Sequence, residues 1–372
     1  MIKVITPGPL TTIQDGGRTG HMGSGLSPCG AMDEYARRLN NLLLDNPADA
    51  AVLECTLLLP TLQFTEDAVF AITGGIVKTS LRLPMEGGTV EIRTGTAYFA
   101  PAGSVLQQAM ITRGVRCCLG LAGGLLTLPI LGSRSADAKS GIGGIRGGMK
   151  LTAGDLIPDD LPEGGEGLAG RTLPEGWDEY LPEAGKPTLL HITKGPQFDQ
   201  LEAEAVRTLA DLTYTVSADS DRMGTRFEGT ALSYREGFDG NIITDALSRG
   251  AIQVPPAGKP ILMNADAQTT GGYAKPFWLA AADRKTAAQL RPGDKVRFEL
   301  VETEDAVEHA RAEAEDLEEI RAALTGATGA KAPSPAAAAP AQAAPSAAGG
   351  PQAFEIRVNG HTYDVTIEKR RQ

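Results

Sequence analysis

Residues 263–275 read Met-Asn-Ala-Asp-Ala-Gln-Thr-Thr-Gly-Gly-Tyr-Ala-Lys and are the most informative stretch of the chain. They offer a carboxylate (Asp266), an amide (Gln268), two hydroxyls (Thr269, Thr270), a phenol (Tyr273) and an ammonium (Lys275). Gly271-Gly272 lets the backbone turn with positive φ or approach a ligand closely. Such a set suits the holding of a small polar molecule; the plainer alternative is a polar hairpin loop. The apolar runs Ile261-Leu262-Met263 and Phe277-Trp278-Leu279 predict strands on either side, placing the cluster at the end of a sheet.

Composition bounds the rest. The chain has 372 residues, 42% of them hydrophobic, enough for two domains with real cores plus extensions. Glycine is plentiful (45 residues) and aromatics are few (5%), which suits short strands and many turns. A net charge of −11, with no basic run before Lys369-Arg370-Arg371, argues against a nucleic-acid partner. The four cysteines (Cys29, Cys55, Cys117, Cys118) show no CxxC spacing, and Cys117-Cys118 lies in an apolar run that predicts buried thiols. The four histidines are scattered without HxH or HExxH spacing, so no metal site is expected. No apolar run approaches transmembrane length and the start lacks a signal-peptide pattern, so the expectation is a cytoplasmic chain without a membrane partner.

The chain reads as internally duplicated. Ile5-Thr6-Pro7-Gly8-Pro9 recurs as Ile192-Thr193-Lys194-Gly195-Pro196, and each half closes on a Gly-Asp turn before a strand, at Gly154-Asp155 and Gly293-Asp294. The expected organisation is a first β-rich module over 1–160, a Pro/Gly/Glu-rich linker over 161–187 and a second module over 188–302. Asp33 should cap a helix carrying Ala36, Leu39 and Leu43 and ending near Asn46-Pro47. A second helix is predicted over 199–209, with Leu201, Ala205 and Leu209 on one stripe. Residues 303–325 predict a charged, solvated helix, and 326–352, almost wholly Ala, Pro, Gly and Ser, a flexible tether. In 353–372, Phe354, Ile356 and Val358 alternate with polar residues, Asn359-Gly360 makes a turn, and Tyr363, Val365 and Ile367 alternate again, the pattern of a β-hairpin.

Several ordered motifs carry a family resemblance over roughly residues 1–300. They are Thr12-Ile13-Gln14-Asp15-Gly16-Gly17-Arg18, Gly30-Ala31-Met32-Asp33, Gly132-Ser133-Arg134-Ser135, Gly141-Ile142-Gly143-Gly144, the 219–229 segment Asp-Ser-Asp-Arg-Met-Gly-Thr-Arg-Phe-Glu-Gly, Gly250-Ala251-Ile252-Gln253-Val254-Pro255-Pro256 and Gln268–Tyr273. Together they resemble the allophanate-hydrolase-subunit-2 family. That family comprises the second half of the urea carboxylase carboxyltransferase domain, the C subunit of bacterial 5-oxoprolinase, and antagonists of a sporulation-kinase inhibitor. The resemblance implies a mainly β fold with short helices, built as two tandem cyclophilin-like β-barrel modules. The 358–365 hairpin resembles the first hairpin of biotin carboxyl carrier domains, although the carrier's biotinyl lysine motif is absent.

The family's acceptors, urea and 5-oxoproline, both carry an amide N–C=O group. N-carboxylation of such a group needs donors to the carbonyl oxygen, a base for the N–H proton and cations for the incoming anion. The expected catalytic residues are Asp266, Gln268, Thr269 and Lys275, and the expected substrate-binding residues Gln253, Asp221, Arg222, Thr270 and Tyr273. Asp266 or Asp221 would be the base, and Lys275 and Arg222 would hold anionic groups. For Asp15, Arg18 and Arg134 the expected role is structural, within the first module. Two departures bear on substrate and activity: Ala267 stands where members commonly have arginine, and Thr244-Asp245-Ala246 where many have Ser-Glu-Gly.

Three functions follow. The first is one subunit of a biotin-dependent carboxyltransferase on a urea-like or lactam acceptor. Biotin would be carried in trans, ATP used by the complex, and the partners a subunit-1-type protein with a biotin carrier and a biotin carboxylase. The second is the C subunit of an ATP-dependent 5-oxoprolinase beside a LamB/YcsF-type protein, and the third a regulatory module that binds a kinase-inhibitor-type protein.

Overall fold

The computed structural model describes residues 1–84, 88–326, 352–358 and 361–367. As expected, the chain is mainly β, with two cyclophilin-like barrel modules and few helices. In the first module a ten-stranded sheet runs in the order Leu156–Ile157, Ile2–Thr6, Thr61–Phe64, Val105–Leu106, Ala68–Arg82, Ile111–Leu121, Val52–Thr56, Leu10–Gln14. The long strand Ala68–Arg82 also pairs with Thr89–Arg93 and Ala97–Ala100. It wraps around a core that includes Phe64, Phe70, Ile72 and Leu119, none of them measurably exposed. The second module is a closed barrel in which Thr188–Lys194 pairs in parallel with Lys295–Leu300, so the sheet has no free edge to cover. Its core includes Leu190, Ile192, Phe227, Phe277 and Val296.

The duplication does not extend to strand pairing. Ile2–Thr6 is antiparallel to Leu156–Ile157, whereas Thr188–Lys194 is parallel to Lys295–Leu300. The repeated Ile-Thr-x-Gly-Pro reflects a strand followed by a Gly-Pro turn in each module, not a shared position in the ladder. The predicted 199–209 helix begins later, as α2 (Ala203–Asp211), after a short 3-10 turn. Leu201, Ala205 and Leu209 are nevertheless all buried.

The first helix, Glu34–Leu43 (α1), is capped as predicted: the Asp33 carboxylate accepts from Ala36 N at 2.8 Å. The same carboxylate accepts from Tyr180 Oη (2.7 Å) and Gln289 Nε2 (2.6 Å). Gln289, fully buried in the second module, also accepts from Val115 N and Arg116 N of the first module and donates to Arg116 O. This tie needs glycines. A Cβ on Gly114 (φ +73) would meet Gln289 Oε1 at 2.5 Å, and one on Gly74 (φ +86) would meet Arg116 O at 2.8 Å.

Two segments are more integrated than their composition suggests. Residues 161–187 lie on the first module as a strap: Leu168, Leu173 and Leu181 are buried, Trp177 covers Gly95, and Tyr180 reaches Asp33. The charged helix Thr303–Thr325 (α4) is not solvated all round. Leu317 and Ile320 are buried in a cluster with Tyr35, Leu39 and Leu43 of α1, and Glu313 pairs with Lys285 at 3.1 Å. A sparse apolar stripe among glutamates suffices to dock it, because, Glu313 apart, the acidic residues of the helix are exposed. The expected tether over 326–352 falls almost entirely outside the described residues. Beyond it, Gln352–Val358 and His361–Ile367 form the expected antiparallel hairpin, with Ile356 opposite Tyr363.

Ile320→Ala should destabilise the protein by about 2 kcal/mol or more, since it empties a buried site. Deletion of 326–372 should leave the thermal midpoint within about 2 °C, as read by calorimetry. Burial raises the Asp33 carboxyl to about 6, outweighing its three hydrogen bonds, with Glu54's charge adding to the rise. An acid whose folded pKa is raised stabilises most when protonated, so this contribution is full below pH ~4 and lost as pH rises through about 6. Asp33→Asn should therefore flatten the stability change between pH 4 and 7 in urea titrations; an unaltered slope would contradict it.

Candidate functional site

The two modules meet along the loop 27–33 of the first. Three consecutive carbonyls of that loop accept from arginines of the second module. Gly30 O takes Arg222 Nη2 (2.8 Å), Ala31 O takes Arg249 Nη1 (3.1 Å), and Met32 O takes Arg249 Nη2 (2.5 Å). Ser27 Oγ donates to Ala267 O at 2.7 Å. Glu54, from the strand Val52–Thr56, accepts from Met32 N (2.6 Å) through one oxygen and from Arg222 Nη1 through the other. Arg222 completes its fork on Asp266, with Nε and Nη2 each 2.8 Å from a carboxylate oxygen. Burial would lower the Arg222 pKa, but Glu54 and Asp266 hold it well above its ordinary value.

The remaining predicted residues fall into two neighbourhoods. Arg222, Asp266 and Gln268 lie at the module junction. Asp221, exposed beside them, is used in a turn, accepting from Met223 N (2.8 Å) and Gly224 N (3.0 Å). The second neighbourhood surrounds a two-stranded ribbon, Asn241–Ala246 with Thr270–Tyr273. Gln253 is buried there and donates to Tyr273 O at 3.5 Å. Lys275, 1% exposed, gives its ammonium to Asp245 Oδ2 (2.9 Å) and Ala246 O (3.1 Å). Thr269 O accepts from Leu247 N, while Thr270 and Tyr273 are exposed. Asp15, Arg18 and Arg134 are structural: Asp15 accepts from Ser133 Oγ, Ser135 Oγ, Arg134 N and Gly17 N, and Arg18 donates to Ile130 O and Ser135 O.

A cavity of about 170 Å³ opens at the junction, lined by Gln268, Asn264, Glu34, Cys29, Arg249 and Arg284 among others. Neither Gln253 nor Lys275 lines it, so the predicted residues do not gather in this one cavity. Its cations are instead Arg249 and Arg284, which sequence reasoning missed. Arg249 directly precedes the Gly250–Pro256 motif, the one signal that could have flagged it; Arg284 opens α3 (Arg284–Ala287), far along the chain. Burial, then the charge of Arg284, lowers Arg249 to about 10. For Glu34, burial alone would raise the carboxyl, but Arg38, Arg37 and Arg249 outweigh it and hold it below the usual range. Burial pushes the Cys29 thiol far up, so it stays neutral. Among the described residues, no cluster of His, Cys, Asp and Glu could hold a metal, and no helix is long and apolar enough to cross a membrane.

Two β-barrel modules clasped over a polar cavity define the class. Residues 24–300 match the family described as carboxyltransferase domain, subdomain A and B, and the chain belongs to that family. It is 34% identical to the 5-oxoprolinase C subunit of Escherichia coli over 82% of this chain and 93% of that one. It is 32% identical to the Haemophilus influenzae protein of the same name over 86% and 98%. The crystal structure of the K. lactis urea amidolyase superimposes with a TM-score of 0.77 at 26% identity, covering 86% of this chain; the chain spans 20% of that larger protein.

Glu54→Ala should destabilise the fold by about 3–5 kcal/mol in urea unfolding, because it strips a buried guanidinium of one of its two carboxylates and leaves Met32 N unpaired. A loss below about 1 kcal/mol would mean the clasp does not hold the modules.

Proposed function

We propose that this chain is one subunit of a biotin-dependent carboxyltransferase that acts on a small amide-type acceptor, urea-like or lactam, beside a subunit-1-type partner. The observation that carries this reading is the junction cavity of a carboxyltransferase-family chain, in which an amide side chain and two guanidinium groups face one small volume. Gln268 makes no side-chain hydrogen bond among the described residues, so its carboxamide is available to an N–C=O group. Glu34, an ionised carboxylate on the same wall that also pairs with Arg38, would take the amide proton. Arg249 and Arg284 would stabilise charge developing on oxygen. Asp266, gripped by Arg222, is a positioning residue for the loop that carries Gln268, and Thr269 keeps that loop on Leu247. Lys275 and Gln253 fix the ribbon from which Thr270 and Tyr273 face solvent.

The residues present suit a carboxylated cyclic urea: Arg249 and Arg284 would hold its carboxylate and Gln268 its ring amide. When bound, biotin supplies the transferable carboxyl group. We place the complex in the cytoplasm, where a biotin carrier, a biotin carboxylase and ATP would serve it.

A second reading, the C subunit of an ATP-dependent 5-oxoprolinase with a LamB/YcsF-type partner and no biotin, is favoured by the near end-to-end match to the two bacterial proteins of that name. Turnover by the co-purified complex separates the two: avidin should abolish bicarbonate-dependent N-carboxylation, whereas lactam opening would be indifferent to it. In either assay Gln268→Ala should cut turnover on the order of tenfold or more, with circular dichroism unchanged. Normal turnover by this variant would remove Gln268 from the site.

A further inference from the structure

The first-module motifs at 12–18 and 132–135 take no part in the chemistry above; what they hold up is a loop. No charged residue occurs between Arg116 and Arg134. The start of that segment is buried strand, but residues 126–131 turn outward. Leu126, Leu128 and Leu131 are 45%, 78% and 49% exposed, and Pro129 is exposed between them. The loop is nevertheless pinned along its length. Leu126 N donates to Pro158 O (2.8 Å), Arg134 Nε to Thr127 O (2.8 Å), and the fully buried Arg18 gives Nε to Ile130 O (3.0 Å). Asp15 fixes the base by accepting from Ser133 Oγ and Arg134 N.

The tip is a two-residue turn. Ile130 N donates to Ser133 O (2.8 Å) and Ser133 N to Ile130 O (3.2 Å), with Leu131 (φ +51) and Gly132 (φ +80) between them. Two central residues at positive φ are the pattern of a type I′ turn, whose first position asparagine fills without the strain a leucine carries. Folding rewards neither the strain at Leu131 nor the exposure of three leucines, whereas binding rewards both. Arg18 also joins this tongue to the cavity, because its backbone N donates to Pro28 O (2.6 Å) and Pro28 lines the cavity wall.

We propose that residues 126–131 are the tongue on which this chain docks its subunit-1-type partner, and that the partner receives Leu128 and Leu131 in an uncharged, apolar groove. The proposal rests on the functional reading above and gives its partner a docking surface. The occupant follows from shape and charge. A projecting tongue needs a concave host. Neither the junction cavity, with Glu34, Arg249 and Arg284 on its wall, nor the groove between α1 and α4, which Arg38, Asp45, Glu318 and Arg321 line, is an apolar seat. A second copy could therefore meet the tongue only with its own tongue, convex on convex. A contact beside Pro28, by contrast, brings a partner subunit to the rim of the cavity, where its groups can reach a bound acceptor.

The affinity of the full chain for the subunit-1-type protein of the same genome, read by titration calorimetry, tests the proposal. Leu128→Ser and Leu131→Asn should each weaken binding about tenfold or more, since each removes an apolar side chain from the contact. Leu131→Asn should at the same time keep or raise the thermal midpoint, because asparagine takes positive φ more readily. Val307→Ser, which removes an exposed apolar side chain from α4, should bind like the unaltered chain. Binding within about twofold of the unaltered chain in both tongue variants would overturn the proposal and leave the functional reading standing. Absence of any complex with the unaltered chain would remove both. A homodimer that Leu128→Ser dissolves would make a second copy the occupant and overturn the assignment of the partner.

Discussion

One buried guanidinium holds the site together. Arg222 leaves the second module, enters the first and divides its donors among Glu54, Gly30 O and Asp266. A charge taken that far from water is tolerated only if each of its donors is matched. The match in turn fixes three things at once: the loop 27–33, the strand carrying Glu54, and the loop carrying Asp266 and Gln268. The cavity lies beside this clasp, with Pro28 and Cys29 from the first loop and Ala267 and Gln268 from the second on its wall.

The barrels make this clasp possible by being rigid. A closed sheet in the second module and a heavily cross-paired one in the first leave loop ends as the adaptable parts. A second tie stands on another part of the same junction, where Gln289 bridges Asp33 and Val115-Arg116 of the strand Ile111–Leu121. Asp33 thus serves as helix cap, strap anchor through Tyr180 and interface acceptor, and its burial displaces its titration toward neutrality. The helix cap, the strap and the module junction draw on the same carboxylates and guanidiniums, so few of these residues are free to change independently.

Charge neutralisation decides which cations remain for a ligand. Lys275, by residue type the natural anion holder of its segment, is consumed by Asp245. Ala267, small and buried, lines the cavity beside Gln268 and brings no charge to it. The positive charge at that wall comes instead from Arg249 and Arg284.

Much of the architecture was legible in the sequence. Alternating apolar runs, Gly-Asp and Gly-Pro turns, the Asp33 cap and the buried Cys117-Cys118 pair all report local rules of period and propensity, and all reappear in the structure. Family motifs pointed to the loop that does line the cavity, through Gln268. The sequence could not reveal that Ile5–Pro9 and Ile192–Pro196 differ in ladder position, that α4 docks through Leu317 and Ile320, or that 161–187 is a strap. Nor could it show that Arg284 stands beside Arg249, or that Lys275 is already paired. Each of these depends on which distant group ends up within a few ångströms. Local pattern fixes the direction in which a side chain leaves its strand or helix, but only the packing of one barrel on the other decides what it meets there.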